Sequence, residues 1–188
     1  VRFNEEPEYG SDFYSPSAPL PGEDKPSCSP DNQEYGLALT GGFSSWDLGF
    51  YLARVFDDRA HLAPAAGGGL QRRHSRVNMA GAAVNLARGN WLFKSEAAWL
   101  DGLVFSAAPN RDNSRLDLLM GVEYSGLSDT TISLEAVNRH LVDFDPSLTR
   151  GYENLSENEF QWAMRVSRDF MHERLEVVFL ALLYGEYA

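Results

Sequence analysis

From position 35 onward, apolar and polar residues alternate, the period-2 signature of strands whose two faces meet different surroundings. The pattern predicts eight runs. Tyr35, Leu37 and Leu39 open the first, against Gly36, Ala38 and Thr40. The second, 46–57, sets Trp46, Leu48, Phe50 and Leu52 against Asp47, Gly49, Tyr51 and Ala53. The third, 75–86, is alanine-rich, and its faces are poorly separated. The fourth, 91–104, sets Trp91, Phe93, Ala97 and Trp99 against Lys94 and Glu96. The fifth is the clearest: Leu116, Leu118, Met120, Val122 and Tyr124 alternate with Asp117, Leu119, Gly121, Glu123 and Ser125. In the sixth, Ile132, Leu134 and Ala136 oppose Thr131, Ser133, Glu135 and Arg139, with Val137 breaking the pattern. The seventh opposes Phe160, Trp162, Met164 and Val166 to Glu159, Gln161, Arg165 and Ser167. The last, 175–188, sets Leu175, Val177, Phe179, Ala181 and Leu183 against Glu176, Tyr184 and Glu186. A helical reading of 159–188 competes, but the alternation and the β-branched pair Val177 and Val178 favour strands.

These runs are longer than the ~5–6 residues usual in soluble domains and match the ~9–11 needed to cross a bilayer at a tilt. The connections between them alternate in length. Tight turns are expected at 43–45, 88–90, 126–130 and 169–173, and long loops at 58–74, 106–115 and 145–158. Segregation of short and long connections to opposite rims is a habit of outer-membrane barrels. The fold class expected is therefore all-β: an antiparallel up-and-down β-meander of about eight strands, part of an outer-membrane β-barrel. Residues 1–34 differ in character. Pro7, Pro16, Pro19, Pro21, Pro26 and Pro30 lie among Ser, Asp, Glu and Gly without periodicity, which reads as a long loop or disordered lead-in before the barrel segment 35–188. The last run breaks off without a turn, so a piece of a longer chain and an open sheet are expected.

Composition changes the picture in three places. A mean hydropathy of -0.33 looks soluble, yet two-faced strands average to such values. The net charge of -11 argues against a nucleic-acid partner. Cys28 is the only cysteine, so no internal disulfide can form, and no apolar run is long enough for a transmembrane helix.

The polar face supplies the candidate lumen-lining residues: Asp47, Lys94, Glu96, Asp117, Glu123, Glu135, Arg139, Arg165, Glu176 and Glu186. Carboxylate pairs can cleave glycosides, but acids on the wet side of strands more often form cross-strand ion pairs. No catalytic, cofactor or metal site is expected: His61, His74, His140 and His172 lack ligand spacing, and Gly67, Gly68 and Gly69 lack the Lys of a phosphate loop. Asp57, Asp58, Asp143 and Asp145 read as solvated loop acids rather than a Ca²⁺ site. Trp46, Phe56, Trp91, Trp99, Tyr124, Phe160, Trp162 and Phe170 gather near run ends, as interfacial girdles do. Arg54 points at lipid in this register, so either it snorkels at the rim or a bulge turns it inward. Arg72, Arg73, His74 and Arg76 form a basic patch at the upper rim, open to lipopolysaccharide phosphates, to anions or to water.

The stretches SWDLGFYLARVFDDRAHL, NMAGAAVNLARGNWLFKSEAAWLDGL, GVEYSGLSDTTISLEAVNRH and ENEFQWAMRVSRDFMHERLEVVFLALLYGE, covering about 46–188, resemble a proteobacterial outer-membrane β-barrel family of long chains, domain of unknown function 1302. The resemblance implies an outer-membrane location and transport of hydrophobic or organic compounds, and it carries over no catalytic residue. The function expected is porin-like passage of small or hydrophobic organic solutes by a non-enzymatic protein. Its partners would be outer-membrane lipid, lipopolysaccharide and a small-molecule solute. The alternatives are a non-transporting surface-binding or structural barrel and a soluble lipocalin-like barrel, whose faces would be reversed.

Overall fold

The computed structural model describes residues 21–150, 153–171 and 174–187, with Glu186 and Tyr187 described by backbone alone. The early prolines Pro7, Pro16 and Pro19, together with His172, lie outside the described residues. The protein is all-β. Eight strands form one antiparallel sheet: β2 (Tyr35–Gly42), β3 (Trp46–Phe56), β6 (Arg76–Arg88), β7 (Trp91–Leu103), β8 (Asn113–Leu127), β9 (Thr130–Val142), β10 (Asn158–Phe170) and β11 (Leu175–Tyr187). They pair in that order with up-and-down connectivity, and β2 and β11 form the two edges. The eight predicted runs coincide with these strands, and the described residues of 159–188 form no helix.

Among the described residues three further strands make a small second sheet. β4 (His61–Pro64) and β5 (Leu70–Arg73) form a hairpin, and β1 (Glu23–Asp24) adds to β5 in parallel. This corrects the reading of 58–74 as a plain loop. Gly68 and Gly69 supply the turn at φ 87° and 85°, a conformation in which a side chain is strained. Asp57 N donates to Ser75 O at 2.9 Å and closes the base of the excursion. The strands also run further than the alternation suggested. β8 begins at Asn113, and the β8–β9 turn shrinks to Ser128 and Asp129.

Residues paired across an antiparallel ladder share a face, so the register separates the two surfaces without ambiguity. One row reads Leu39, Phe50, Ala82, Ala97, Leu118, Asn138 and Phe160. A second reads Trp46, Leu86, Phe93, Val122, Leu134, Met164 and Ala181. This face is open to solvent: Met120 is 67% exposed, Trp162 46% and Phe179 58%. Leu116, Val122 and Phe160 on the same face are half-buried. Val137 continues the strand in register between Leu119 and Gln161, so it is an apolar residue on the polar face rather than a break.

The conventional core sits elsewhere. Val77, Leu103, Leu141, Leu148 and Ala63 are buried, all at the end of the sheet where the long connections lie. There the three excursions are stitched together. Leu62 N donates to Ser106 Oγ at 2.9 Å, and Ser106 N donates to Glu153 Oε1 at 2.8 Å. The result is a cap over one rim.

Candidate functional site

All ten lumen-lining candidates fall on one face of the sheet. The row Asp47, Asn85, Lys94, Gly121, Glu135 contains three of them, and the row Asp117, Arg139, Glu159, Glu186 three more. Glu186 is placed by its backbone pairing with Glu159 only. Glu96 pairs with Ala83 and Leu119, Glu123 with Ser133, Arg165 with Ser133, and Glu176 with Asp169. The structure brings most of them together as ion pairs. Lys94 Nζ lies 3.3 Å from Glu135 and 3.9 Å from Glu123. Arg139 meets Glu159 at 3.8 Å, and Arg165 meets Glu176 at 3.2 Å. Asp117 accepts two hydrogen bonds from Arg115, at 2.7 and 2.8 Å. Among the described residues no ion pair reaches Asp47 or Glu96.

Gly121 leaves room between Lys94 and Glu135. The two residues lie on either side of it in one row, and a Cβ at position 121 would stand 3.1 Å from Glu135 Cγ and 3.5 Å from Lys94 Cβ. Arg115 was missed because it fell inside the predicted loop 106–115. Glu159 was read on the polar face but left out of the candidate set. For both, extending the alternation to the strand ends is the signal that finds them.

At the capped rim the same face turns apolar. Val55, Val77, Leu100 and Leu141 lie there, and the hairpin and loops cover them. Beneath the cap is a cavity of about 1010 Å³, large enough for a drug-sized molecule. Sheet residues Val77, Leu100 and Arg115 form its floor, the hairpin contributes His61 and Leu62, and the loop after β7 contributes Phe105. His61 is 7% exposed, and burial, followed by the nearby Arg73 charge, holds its pKa below the ordinary histidine value. Its Nδ1 has no hydrogen-bond partner.

The basic patch is engaged by the lead-in segment. Glu23 accepts from Arg72 at 3.4 Å and lies 2.8 Å from His74 Nε2, while Arg73 meets Asp24 at 3.3 Å. His74 Nδ1 lies 2.7 Å from the carbonyl oxygen of Asp57, so both ring nitrogens face oxygen acceptors. Arg76 donates to the carbonyl of Asp31 at 2.9 Å and stacks over Phe56 at 4.4 Å. The His74 hydrogen bond, more than any other interaction, holds the Glu23 carboxyl below its usual range. Asp145 is likewise lowered, because it accepts from the backbone N–H of Ser147.

Arg54 stays in register on the apolar face, with no bulge at that position. It belongs to a polar row at the capped rim with Tyr35, Asn78, Asp101 and Ser114, and its guanidinium reaches the Tyr35 hydroxyl at 3.5 Å. Of the two readings, the structure has the rim placement. At the opposite rim Phe43 stacks on Trp46 at 4.0 Å, and Trp91 packs on Tyr124 at 4.5 Å. Among the described residues no group of three or more His, Cys, Asp or Glu could hold a metal ion.

In comparisons with protein-family models, with curated proteins and with solved structures, no match to this chain was found.

Proposed function

We propose that this chain forms part of an outer-membrane β-barrel of a Gram-negative bacterium and gives porin-like passage to small or hydrophobic organic solutes. The observation that carries the reading is the two-faced sheet from β3 to β10, apolar and open on one side, charged and ion-paired on the other; the edge strand β11 is apolar on both faces, with Val178, Leu180 and Leu182 exposed on the charged side. Apolar surface left in water forgoes about 25 cal/mol per Å², so an eight-stranded apolar face calls for a covering solvent, and lipid is one. Strand dimensions agree. Thirteen residues, as in β10, extend about 43 Å and span about 30 Å at a tilt near 45°. The cap and its cavity lie on the charged face, which favours that face as the interior. A lipocalin-like barrel has the reverse arrangement. Outer-membrane lipid and lipopolysaccharide would be the partners of such a barrel.

The test is reconstitution of the complete protein into lipid vesicles, with solute entry and planar-bilayer conductance as readouts. Insertion with conductance is the expected result. Insertion without conductance or entry favours the surface-binding alternative, and a protein monodisperse in water without detergent overturns the membrane reading.

A further inference from the structure

We propose that the chamber beneath the cap is a binding site for an uncharged, mainly apolar organic molecule. The inference deepens the passage reading, on which it rests only in calling that molecule a solute. Three observations carry it.

The chamber holds about 1010 Å³, at the upper end of the range for small-molecule sites. Its walls include Leu62, Val77, Leu100, Leu103, Val104 and Phe105, drawn from the hairpin, the sheet and the loop after β7. The charged groups that border it are largely committed. Arg115 is held by Asp117 at 2.7 Å, Glu159 by Arg139 at 3.8 Å and Arg72 by Glu23 at 3.4 Å. Glu153 Oε1 accepts from Ser106 N at 2.8 Å, and Asp57 Oδ1 accepts from Arg59 N at 3.0 Å, while Glu153 Oε2 and His61 Nδ1 are buried without a hydrogen-bond partner and leave the wall two polar points. Asp58 and Arg59, exposed at the margin, carry opposite charges. An ion entering the chamber would lose hydration, and at most of the bordering charges it would have to break an existing pair to replace it. A neutral apolar molecule loses little hydration and covers apolar wall.

The experiment uses the complete protein in lipid nanodiscs, with Cys28→Ser and Val104→Cys, and follows maleimide labelling of the new thiol. Three probes share one ring system: naphthalene, 2-naphthalenesulfonate and 1-naphthylmethylammonium. Naphthalene is expected to slow labelling about tenfold, and the two ions at equal concentration by much less. Unsubstituted Cys28, exposed and outside the chamber, should label at an unchanged rate and so report on loss of probe to lipid. Leu62→Cys, on the hairpin wall, is the second reporter should Val104→Cys disturb the fold. Equal protection by a charged probe, no protection at either reporter, or equal slowing at Cys28 would overturn the proposal. Protection without solute entry into vesicles would leave the chamber standing and remove the passage reading. Entry without protection would do the opposite.

Discussion

The eight-stranded sheet and its cap come from one chain but distribute their apolar residues in opposite ways. On the outer sheet face Leu37, Met120 and Leu183 are 67%, 67% and 68% exposed, whereas in the cap region Leu148 is 1% exposed and Leu103 4%. The cap region is built as a protein in water is built, with apolar side chains inside and the loop backbone stitched by side-chain hydrogen bonds. The strands between the two edges satisfy their backbone through the ladders, and the apolar face is left uncovered by the described chain. Burial is therefore a property of residue and solvent together, and one rule of thumb reads only half of this molecule correctly.

The largest expected effects separate the two regions by mutation. Leu103→Ala removes a side chain that is 4% exposed and should cost about 2–5 kcal/mol in any medium. Met120→Arg should cost about 2–4 kcal/mol in lipid vesicles if Met120 sits near the midplane. On a face bathed in water the same change would fall within about ±0.5 kcal/mol. Denaturant titration in vesicles measures both, and a silent Met120→Arg would erase the contrast between sheet and cap.

Glycines give a smaller version of the comparison. Gly102, at φ 90° beside a register shift between β7 and β8, has its missing Cβ aimed at the carbonyl oxygen of Arg76. Gly102→Ala should cost about 1–3 kcal/mol, as overpacking does. Gly67, with nothing within 4 Å of its missing Cβ, should accept Ala without loss. Thermal melts of the two variants check the difference.

How much of this was legible follows from the same physics. Alternation survives wherever one face is apolar and the other polar, so the fifth run, Leu116 to Tyr124 against Asp117 to Ser125, could be read directly and its register holds. It fades where both sides are covered by protein. At the capped rim Val55, Val77 and Leu100 are apolar on the inner face, so the pattern around 75–79 blurs and the cap above it went unseen. The hairpin had a weak signal of its own: His61, Leu62 and Ala63, then three glycines, then Leu70. A structureless stretch as long as 58–74 was itself a warning. The basic patch could be read as residues but not as contacts. Its partners, Glu23 and Asp24, lie some fifty positions away in a segment with no periodicity.

Acid should act on the cap before it acts on the sheet. Glu23 has its carboxyl lowered below the ordinary 4.5, so its stabilising contribution is complete above that value and is lost as pH falls through the lower, folded-state pKa. His61 is lowered below 6.5, chiefly by burial, so the unfolded cap binds protons first, and stability already declines as pH drops below 6.5. Both groups bear on the hairpin and neither on the long strands. Hydrogen exchange at the Arg72 amide, which donates to Gly22 O at 2.9 Å, should therefore speed up between pH 6.5 and 4 after correction for the intrinsic rate. Central amides of β8 and β9 should hold. Simultaneous loss in both regions would mean that cap and sheet are one cooperative unit.

The smallest effect expected is electrical and concerns the inner face alone. Its acids outnumber its bases, and rings of carboxylates favour cations. The ion pairs reduce that excess: Lys94 is shared by Glu123 and Glu135, Arg139 is met by Glu159, and Arg165 by Glu176. What remains includes Asp47 and Glu96, on the side of the sheet nearer β2, one unmatched acid of the Lys94 cluster, and Asp169 and Glu186 by register on the other side. Screening over about 8 Å at physiological ionic strength weakens it further, so a conducting barrel should show only a modest cation preference. Neutralising Glu123 and Glu135 together removes two acids and also releases Lys94, so the reversal potential under a salt gradient should move toward anions. The single change Asp47→Asn, which releases no base, should move it in the same direction but less. If the double variant left the potential unchanged while the single variant shifted it, the current would run past Asp47 and bypass the Lys94 cluster, and the paired region of the inner face would be wall rather than pathway.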